Sequence, residues 1–291
     1  MRNNSLKKVL ADFSELVMFK HSVFSLPFIF IAMLVASKLT YNSSWFGWKL
    51  LFLGVLAAVT ARNFAMGVNR YLDRDIDILN PRTKGRPSVD GRVSNTQMLG
   101  FIVMNAFLFV LVAYFVNTLA FQLSLPILAV LGAYTLFKRF SALAHIILGI
   151  SLGLAPIAGV VAVTGEITQW SLYLAVGVMF WVAGFDLLYS LQDMDFDKKN
   201  GLHSIPSKFG AKKTMWIARV FHVLTIIFWS LFVMNAGLGF WGQLSVVLSL
   251  FMLGYEHYLV NKDFTKIDKA FFTVNGYLGF MFIFFIFIEV Y

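Results

Sequence analysis

Residues 170–197 read WSLYLAVGVMFWVAGFDLLYSLQDMDFD. The stretch opens with an uncharged apolar run and ends with Asp186, Asp193, Asp195 and Asp197. About 20 apolar residues in helical form cross the hydrocarbon core of a bilayer. We read the run as a membrane helix whose last turns carry acid to the membrane face. The rest of the chain agrees with that reading. Of 291 residues, 59% are apolar and only 13% charged, against about 25% charged in soluble proteins. This excludes a soluble enzyme and a disordered chain. The net charge is +9, but the basic residues lie between apolar runs and form no patch with aromatics. The expected partner is therefore the lipid bilayer, with no nucleic acid and no protein partner inferable. The absence of Cys excludes disulfides, thiol catalysis and Cys-ligated metal.

Scanning outward gives nine candidate spans: 18–37, 48–68, 97–117, 119–137, 141–163, 170–191, 215–235, 239–260 and 268–289. The expected fold class is all-α, an integral membrane helical bundle of about nine transmembrane helices. No linker or composition shift divides it, so residues 1–291 are read as one domain. The first residues are short, polar and basic, without a small-residue cleavage site, and no signal or transit peptide is expected. Twenty of the 24 Lys and Arg fall on one side: the N-terminal segment, the 69–96 and 192–214 loops, the 138–140 turn and the 261–269 loop. Lys38 and Lys49 fall on the other. The positive-inside rule places the N-terminus and both long loops in the cytoplasm.

A second acidic window, Asn69-Arg-Tyr-Leu-Asp73-Arg-Asp75-Ile-Asp77, closes the second span as the first window closes the sixth. Asn69, Asp73 and Asp77 are four apart, as are Tyr189, Asp193 and Asp197. At about 100° per residue, each trio forms one stripe rising about 6 Å per step. Asp186 joins the second stripe from seven residues upstream, whereas Asp75 and Asp195 fall roughly opposite. Like charges at i,i+4 repel, and nothing within either stripe supplies enough positive charge. A divalent cation does, and all-oxygen ligands favour Mg²⁺ or Ca²⁺. Mg²⁺ takes one or two carboxylates and completes its shell with water and phosphate. Basic loops follow each stripe, with Arg82, Lys84 and Arg86 after the first and Lys198 after the second. They are candidates for holding a polyanion such as diphosphate.

Arg62 lies seven residues before Asn69, on the stripe's face but nearly two turns deeper. An ionisable group at that depth is read as functional. Arg219 is read as snorkelling from a span end. His145 and His222 are read as packing residues, and only His203, in the basic loop, is a candidate site histidine. A cation-coupled transporter would also place carboxylates in the membrane, but its sites lie near the midplane, and these cluster at one face. The Asp-rich run of lipid phosphatidyltransferases is absent.

Together, Asn69-x-x-x-Asp73-x-x-x-Asp77 with Arg86-Pro87, and Asp186-x-x-Tyr189-x-x-x-Asp193-x-x-x-Asp197, resemble the two signatures of the UbiA family of membrane prenyltransferases. The resemblance covers essentially the whole chain. It departs at Arg70, where the family usually has Asp, and at Ser88-Val89-Asp90 before Gly91. It implies one prenyltransferase domain in a bacterial cytoplasmic (inner) membrane, with the site facing the cytoplasm. The implied reaction moves a polyprenyl group from polyprenyl diphosphate to an aromatic acid of ubiquinone or menaquinone biosynthesis. In that picture Asp73, Asp77, Asp193 and Asp197, with Asn69, hold Mg²⁺. Arg62, Arg82, Lys84, Arg86, Lys138, Tyr189 and Lys198 contact substrate. Arg139, in the 138–140 turn, pairs with the acceptor carboxylate, and Asp186 assists phenol deprotonation. Lys20-His21-Ser22 resembles the menaquinone branch.

Overall fold

The computed structural model describes residues 2–17 and 26–291, with side chains omitted at 2–6, 9 and 10. Lys20-His21-Ser22 and the start of the first expected span lie outside them. Helix α1 (Arg2–Leu16) is followed by α2 (Leu26–Tyr41), α3 (Trp48–Leu72) and the short α4 (Arg74–Leu79). Next come α5 (Asn95–Val116), α6 (Thr118–Ala133), a 3₁₀ turn (Tyr134–Arg139) and α7 (Ala144–Thr164). α8 (Gln169–Tyr189) runs through a 3₁₀ turn (Ser190–Asp193) into α9 (Met194–Lys199). α10 (Ile205–Asn235), α11 (Phe240–Lys262), the single turn α12 (Ile267–Lys269), a π-helical stretch (Ala270–Val274) and α13 (Asn275–Val290) complete the chain. No strand occurs among the described residues.

Seven helices are long and apolar enough to cross a membrane: Trp48–Leu72, Asn95–Val116, Thr118–Arg139, Ala144–Thr164, Gln169–Lys199, Ile205–Asn235 and Phe264–Val290. The protein is a multi-pass membrane protein. Two of the nine expected spans fall short of that criterion. The described part of the first is the 16-residue α2, about 24 Å long at 1.5 Å per residue. The eighth, α11, carries Glu256, His257 and Lys262 in its last turns.

Polar residues set the helix ends where the sequence has no room for loops. Asn117 closes α5 and caps α6 by accepting from Ala120 N at 2.8 Å. Ser94 with Gln97 and Ser204 with Ser207 form capping boxes on α5 and α10, satisfying the first free N–H groups. Gly165, at φ +75°, ends α7 in the left-handed region that glycine adopts without a Cβ penalty.

α8 is the central helix. Two thirds of its apolar window is buried, against less than half in every other span. It packs on α7 and α10. Small residues allow the close approach: a Cβ on Gly149 would stand 2.4 Å from the Met179 carbonyl oxygen, and one on Gly153 2.8 Å from that of Ala175. This spacing of small residues is the usual device for helix contact in lipid, where backbones rather than long side chains meet. Beside α8, Phe28, Trp181, Trp229 and Phe282 interlock with centroids 4.9 to 6.0 Å apart.

Glu256, for which the sequence offers no partner pattern, is buried and accepts from Asn275 Nδ2 at 2.7 Å. Asn275 Oδ1 accepts from Trp181 Nε1, also at 2.7 Å. This chain of bonds ties α11 and α13 to α8 just past the π-helical stretch. The close α7–α8 approach gives a stability prediction. Gly149→Val should lower thermal stability in detergent by about 2 kcal/mol or more, the scale of overpacking. Gly100→Ala, which meets nothing within 4 Å, should leave it within about 0.5 kcal/mol. Differential scanning fluorimetry of both variants checks this.

Candidate active site

The two acidic windows do not form the continuous helices that their spacing suggests. Each breaks at the middle residue of its four-spaced trio: Asp73 has φ −90°, ψ 9° and Asp193 has φ −98°, ψ 0°. Helix resumes immediately as α4 and α9. The breaks recur at the same place in both windows, at the boundary where the chain leaves the apolar layer. The carboxylates still reach a common space, because one bridge-region residue tilts the following turn without reversing it.

That space is a cavity of about 320 Å³. Asp73, Asp77, Asp186, Asp193 and Asp197 all line it, with Asn69, Arg62, Arg82, Arg86, Lys138, Tyr189 and His203. Lys84 and Lys198 are exposed on the loop surface and do not line it.

The positive charge that the stripes lack arrives from other segments. Both Asp77 oxygens accept from Arg86 Nη1, at 2.7 and 2.6 Å. Arg82 crosses from the first loop to the second motif, donating from Nε to Asp193 Oδ1 at 3.1 Å and from Nη2 to Oδ2. Asn80 Nδ2 adds a third bond to Asp193 at 3.1 Å. Lys138 Nζ stands 3.0 Å from Asp197 Oδ1. Burial by itself would lower the Arg82 pKa, but the hydrogen bond to Asp193 together with the negative charge of Asp193 and its neighbours raises it.

Asp73 differs. Its Oδ2 accepts from Asn69 Nδ2 and the Thr135 hydroxyl, each at 2.9 Å. Its Oδ1 is buried with no hydrogen-bond partner, and the nearest charged nitrogen, Arg139 Nη2, is 4.0 Å away. Burial pushes the Asp73 carboxyl above its usual range despite the Thr135 bond.

Arg139 is placed differently from the sequence expectation. It donates from Nη1 and Nη2 to Asp75 at 2.9 and 2.6 Å and from Nη2 to the Leu72 carbonyl at 2.5 Å. It does not line the cavity. The carboxylate it holds is the protein's own, and Asp75, set aside as facing away, supplies it. The Arg139 bond in turn holds Asp75 below the usual carboxylate range.

Arg62 behaves in the opposite way. It is half-buried in an apolar helix, its buried Nε has no hydrogen-bond partner, and no acid lies within ion-pair distance among the described residues. It lines both this cavity and an apolar chamber of about 150 Å³ beneath it, walled by residues such as Ala58, Ala61, Phe109 and Ala155. Met66, Tyr134, Leu148 and Leu152 also border both. The two spaces form one elongated site, polar at the membrane face and apolar within.

Phe271 and Phe272, from the π-helical stretch, line the cavity without any signal in the sequence, and Tyr134 and Thr135 come from the 3₁₀ turn that also carries Lys138 and Arg139. Phe271 lies with its ring centroid 4.3 Å from that of Tyr189. His145, read as a packing residue, also lines the cavity, with Nδ1 2.7 Å from Asp186 Oδ2. Arg70, the departure from the family pattern, donates to Asn69 Oδ1 at 2.9 Å and to the Leu16 carbonyl at 3.3 Å. It orients Asn69 and links α1 to the site.

A polar cavity between paired acidic helix ends, opening into an apolar chamber, is the site of an enzyme that handles an amphipathic anion. The model of the UbiA prenyltransferase family matches residues 25–286, and the chain belongs to that family. It is a membrane prenyltransferase. Proteins named 4-hydroxybenzoate octaprenyltransferase are similar to it. That of Burkholderia vietnamiensis is 29% identical over 248 residues, covering 82% of this chain and 84% of the relative. That of Dechloromonas aromatica is 28% identical over 234 residues, covering 80% and 78%. Among solved structures, a UbiA homolog from Aeropyrum pernix K1 superposes with a TM-score of 0.83 at 29% identity, covering 93% of this chain and 98% of that one. A UbiA homolog from Archaeoglobus fulgidus bound to GPP and Mg²⁺ has a TM-score of 0.77 at 20% identity, covering 96% and 99%.

Because Arg139 is committed to a half-exposed pair outside the cavity, Arg139→Met should cost under about 1 kcal/mol of stability. It should leave the KM of an aromatic acceptor within about twofold, since the Asp75 pair lies off the acceptor's path. Steady-state kinetics in detergent, varying the acceptor, measures this.

Proposed function

We propose that the chain moves a polyprenyl group from polyprenyl diphosphate to a ring carbon of an aromatic hydroxy acid of the 4-hydroxybenzoate type. The reaction is magnesium-dependent and serves ubiquinone or menaquinone biosynthesis. One observation carries the reading: four carboxylates from two matched helix breaks, with Arg82, Arg86 and Lys138, share a cavity that continues past Arg62 into an apolar chamber. The relatives named 4-hydroxybenzoate octaprenyltransferase support the same reaction.

The donor set fits magnesium. It is all oxygen, as a hard cation prefers, and Asp73 Oδ1 is a buried, unpartnered ligand atom. Among the described residues no three His, Asp or Glu gather to enclose one ion. Asp73, Asp77, Asp193 and Asp197, helped by Asn69, therefore offer few ligands per ion and leave room for phosphate and water. Bound magnesium supplies charge neutralisation at the diphosphate and draws electrons from its bridging oxygen.

The chain's own residues do the rest. Arg82, Arg86 and Lys138 now rest on carboxylates and are placed to pass to phosphate oxygens. Guanidinium forks favour such bidentate contacts. Tyr189, backed by Phe271 and Phe272, presents ring faces where positive charge develops on the allylic carbon. The apolar chamber takes the isoprenoid units next to the diphosphate and keeps water from the reactive carbon. Arg62, a half-buried cation with no acid partner among the described residues, receives the acceptor carboxylate. This is the role that the family resemblance implied for Arg139. Orientation in a bacterial inner membrane with the site facing the cytoplasm rests on the Lys and Arg distribution. The same reading counts α2 and α11 as spanning helices, which makes nine.

Membranes carrying the protein, given a polyprenyl diphosphate, Mg²⁺ and either 4-hydroxybenzoate or a dihydroxynaphthoate, should form a prenylated acid identifiable by mass. No product from either acid overturns the reading. Asp73→Ala or Asp193→Ala should abolish product at unchanged protein level, and so should EDTA, with recovery on adding excess Mg²⁺. Arg62→Met should raise the acceptor KM about tenfold or more, the cost of losing a buried charge-assisted bond, with the donor KM held within about twofold.

A further inference from the structure

The proposed reaction has a competitor inside its own cavity. When the allylic C–O bond breaks, its electron pair leaves with diphosphate. The allylic carbon then bonds to the acceptor ring, which loses a proton, or to a water oxygen, which loses a proton to give a prenyl alcohol. Neither course needs an oxidant. The cavity is polar at the membrane face, so water is kept from that carbon by the rings that cover it. Phe185, Tyr189, Phe271 and Phe272 all line it. The Phe271 centroid lies 4.3 Å from that of Tyr189 and 5.1 Å from that of Phe185, and the Phe272 centroid 6.2 Å from Tyr189.

Two of these rings stand on α8 and two on the π-helical stretch Ala270–Val274. A π turn holds more residues than an α turn, because its bonds run from i to i+5. Returning the stretch to α-helix would turn Phe271 and Phe272 by about 100° relative to α13 and move them about 1.5 Å along it, one residue's worth of helix. That rotation takes both rings off Tyr189. The phase of this one stretch therefore decides whether the aromatic corner is closed.

Asn275 is the first residue after the stretch. Its side chain donates from Nδ2 to Glu256 Oε1 at 2.7 Å and accepts at Oδ1 from Trp181 Nε1 at 2.7 Å. Nδ2 also lies 3.5 Å from the carbonyl oxygen of Ala270, the residue that opens the stretch. One amide thus joins both ends of the stretch to α8 and α11. Asn275, Glu256 and Trp181 are all buried, and none of them lines the cavity. Apolar side chains would join these helices without desolvating an acid and an amide. Satisfied directional bonds add a fixed rotation about the helix axis, which apolar contact leaves open.

We infer that Asn275, seated by Glu256 and Trp181, is a positioning residue for the transfer: it locks the phase of the π-helical stretch so that Phe271 and Phe272 close over the allylic carbon and keep water from it. This rests on the proposed reaction.

The test uses the full-length protein in detergent, with a polyprenyl diphosphate, Mg²⁺, whichever of the two acids wild type prenylates, and water labelled with heavy oxygen. Only prenyl alcohol that carries the label, which marks water bonded to the allylic carbon, is counted against prenylated acid. Asn275→Ala should raise this ratio about tenfold or more, the scale on which a misplaced group acts. Glu256→Gln, whose Oε1 still accepts from Asn275, should keep it within about twofold of wild type. Phe271→Leu should raise the ratio as Asn275→Ala does. Adding Asn275→Ala to Phe271→Leu should change it by less than about twofold, since two residues that act through one contact are not additive. Glu289→Ala is the control for stability alone. Glu289 accepts from Gly239 N at 2.6 Å and Trp241 N at 2.9 Å, at the other end of α13. Its loss should lower the thermal midpoint and leave the ratio within about twofold.

A wild-type ratio in Asn275→Ala would overturn the inference, and a lowered thermal midpoint beside it would mark a packing role. Ratios that multiply in the double variant would overturn it too. Should Asn275→Ala not fold, Trp181→Phe carries the test, because it removes the N–H given to Asn275 and keeps an aromatic ring. Its ratio should rise more than about twofold, and a wild-type ratio there overturns the inference. If wild type prenylates neither acid, the proposed reaction itself has failed. If wild type forms the prenylated acid and no variant moves the ratio, this inference alone has failed.

Discussion

Carboxylates at the edge of a low-dielectric layer must be neutralised, and in this protein the neutralising groups come from elsewhere in the chain. Arg86 folds back on Asp77, Arg82 bridges to Asp193, and Lys138 reaches Asp197. Leaving one such charge unpaired in the interior costs about 3–5 kcal/mol. The pairing therefore fixes where the loop after α4, the 3₁₀ turn and α9 sit. These pairs close the membrane face of the bundle and form the wall of the site.

The same constraint explains why the two motifs are matched. Each is a helix that ends in acid and bends at the middle residue of its stripe, Asp73 or Asp193. α8 brings the second motif through the centre of the bundle, and its close packing on α7 through Gly149 and Gly153 sets its depth. The bond chain from Glu256 through Asn275 to Trp181 holds the π-helical stretch so that Phe271 rests on Tyr189. A π-helical turn commonly marks a functional position, because it redirects side chains without breaking the helix. Here it places two aromatic rings beside the basic and acidic groups.

Polarity then falls with depth. The outer part of the cavity carries paired ions, the middle carries Arg62, Asp186 and His145, and the inner chamber is apolar. In the proposed reaction the diphosphate head, the polar acceptor and the isoprenoid tail meet matching surroundings in that order. Arg70 extends the network outward by joining Asn69 to the end of α1. The residue that departs from the family pattern thus has a structural task in this chain.

The sequence by itself determined the class of fold, the two acidic windows and most of the charged side chains that line the cavity. Apolar length, four-residue spacing and the placement of Lys and Arg are properties of one segment at a time. Only the tertiary structure decided which group faces which. It set Arg139 on Asp75 rather than in the cavity, left Arg62 without an acid, and put His145 against Asp186 instead of in plain packing. It also broke both stripes at their middle residue. These outcomes depend on distances between segments far apart in the chain, such as Arg82 and Asp193. A helical period carries no information about such distances, because the angle and depth at which two helices meet come from the packing between them.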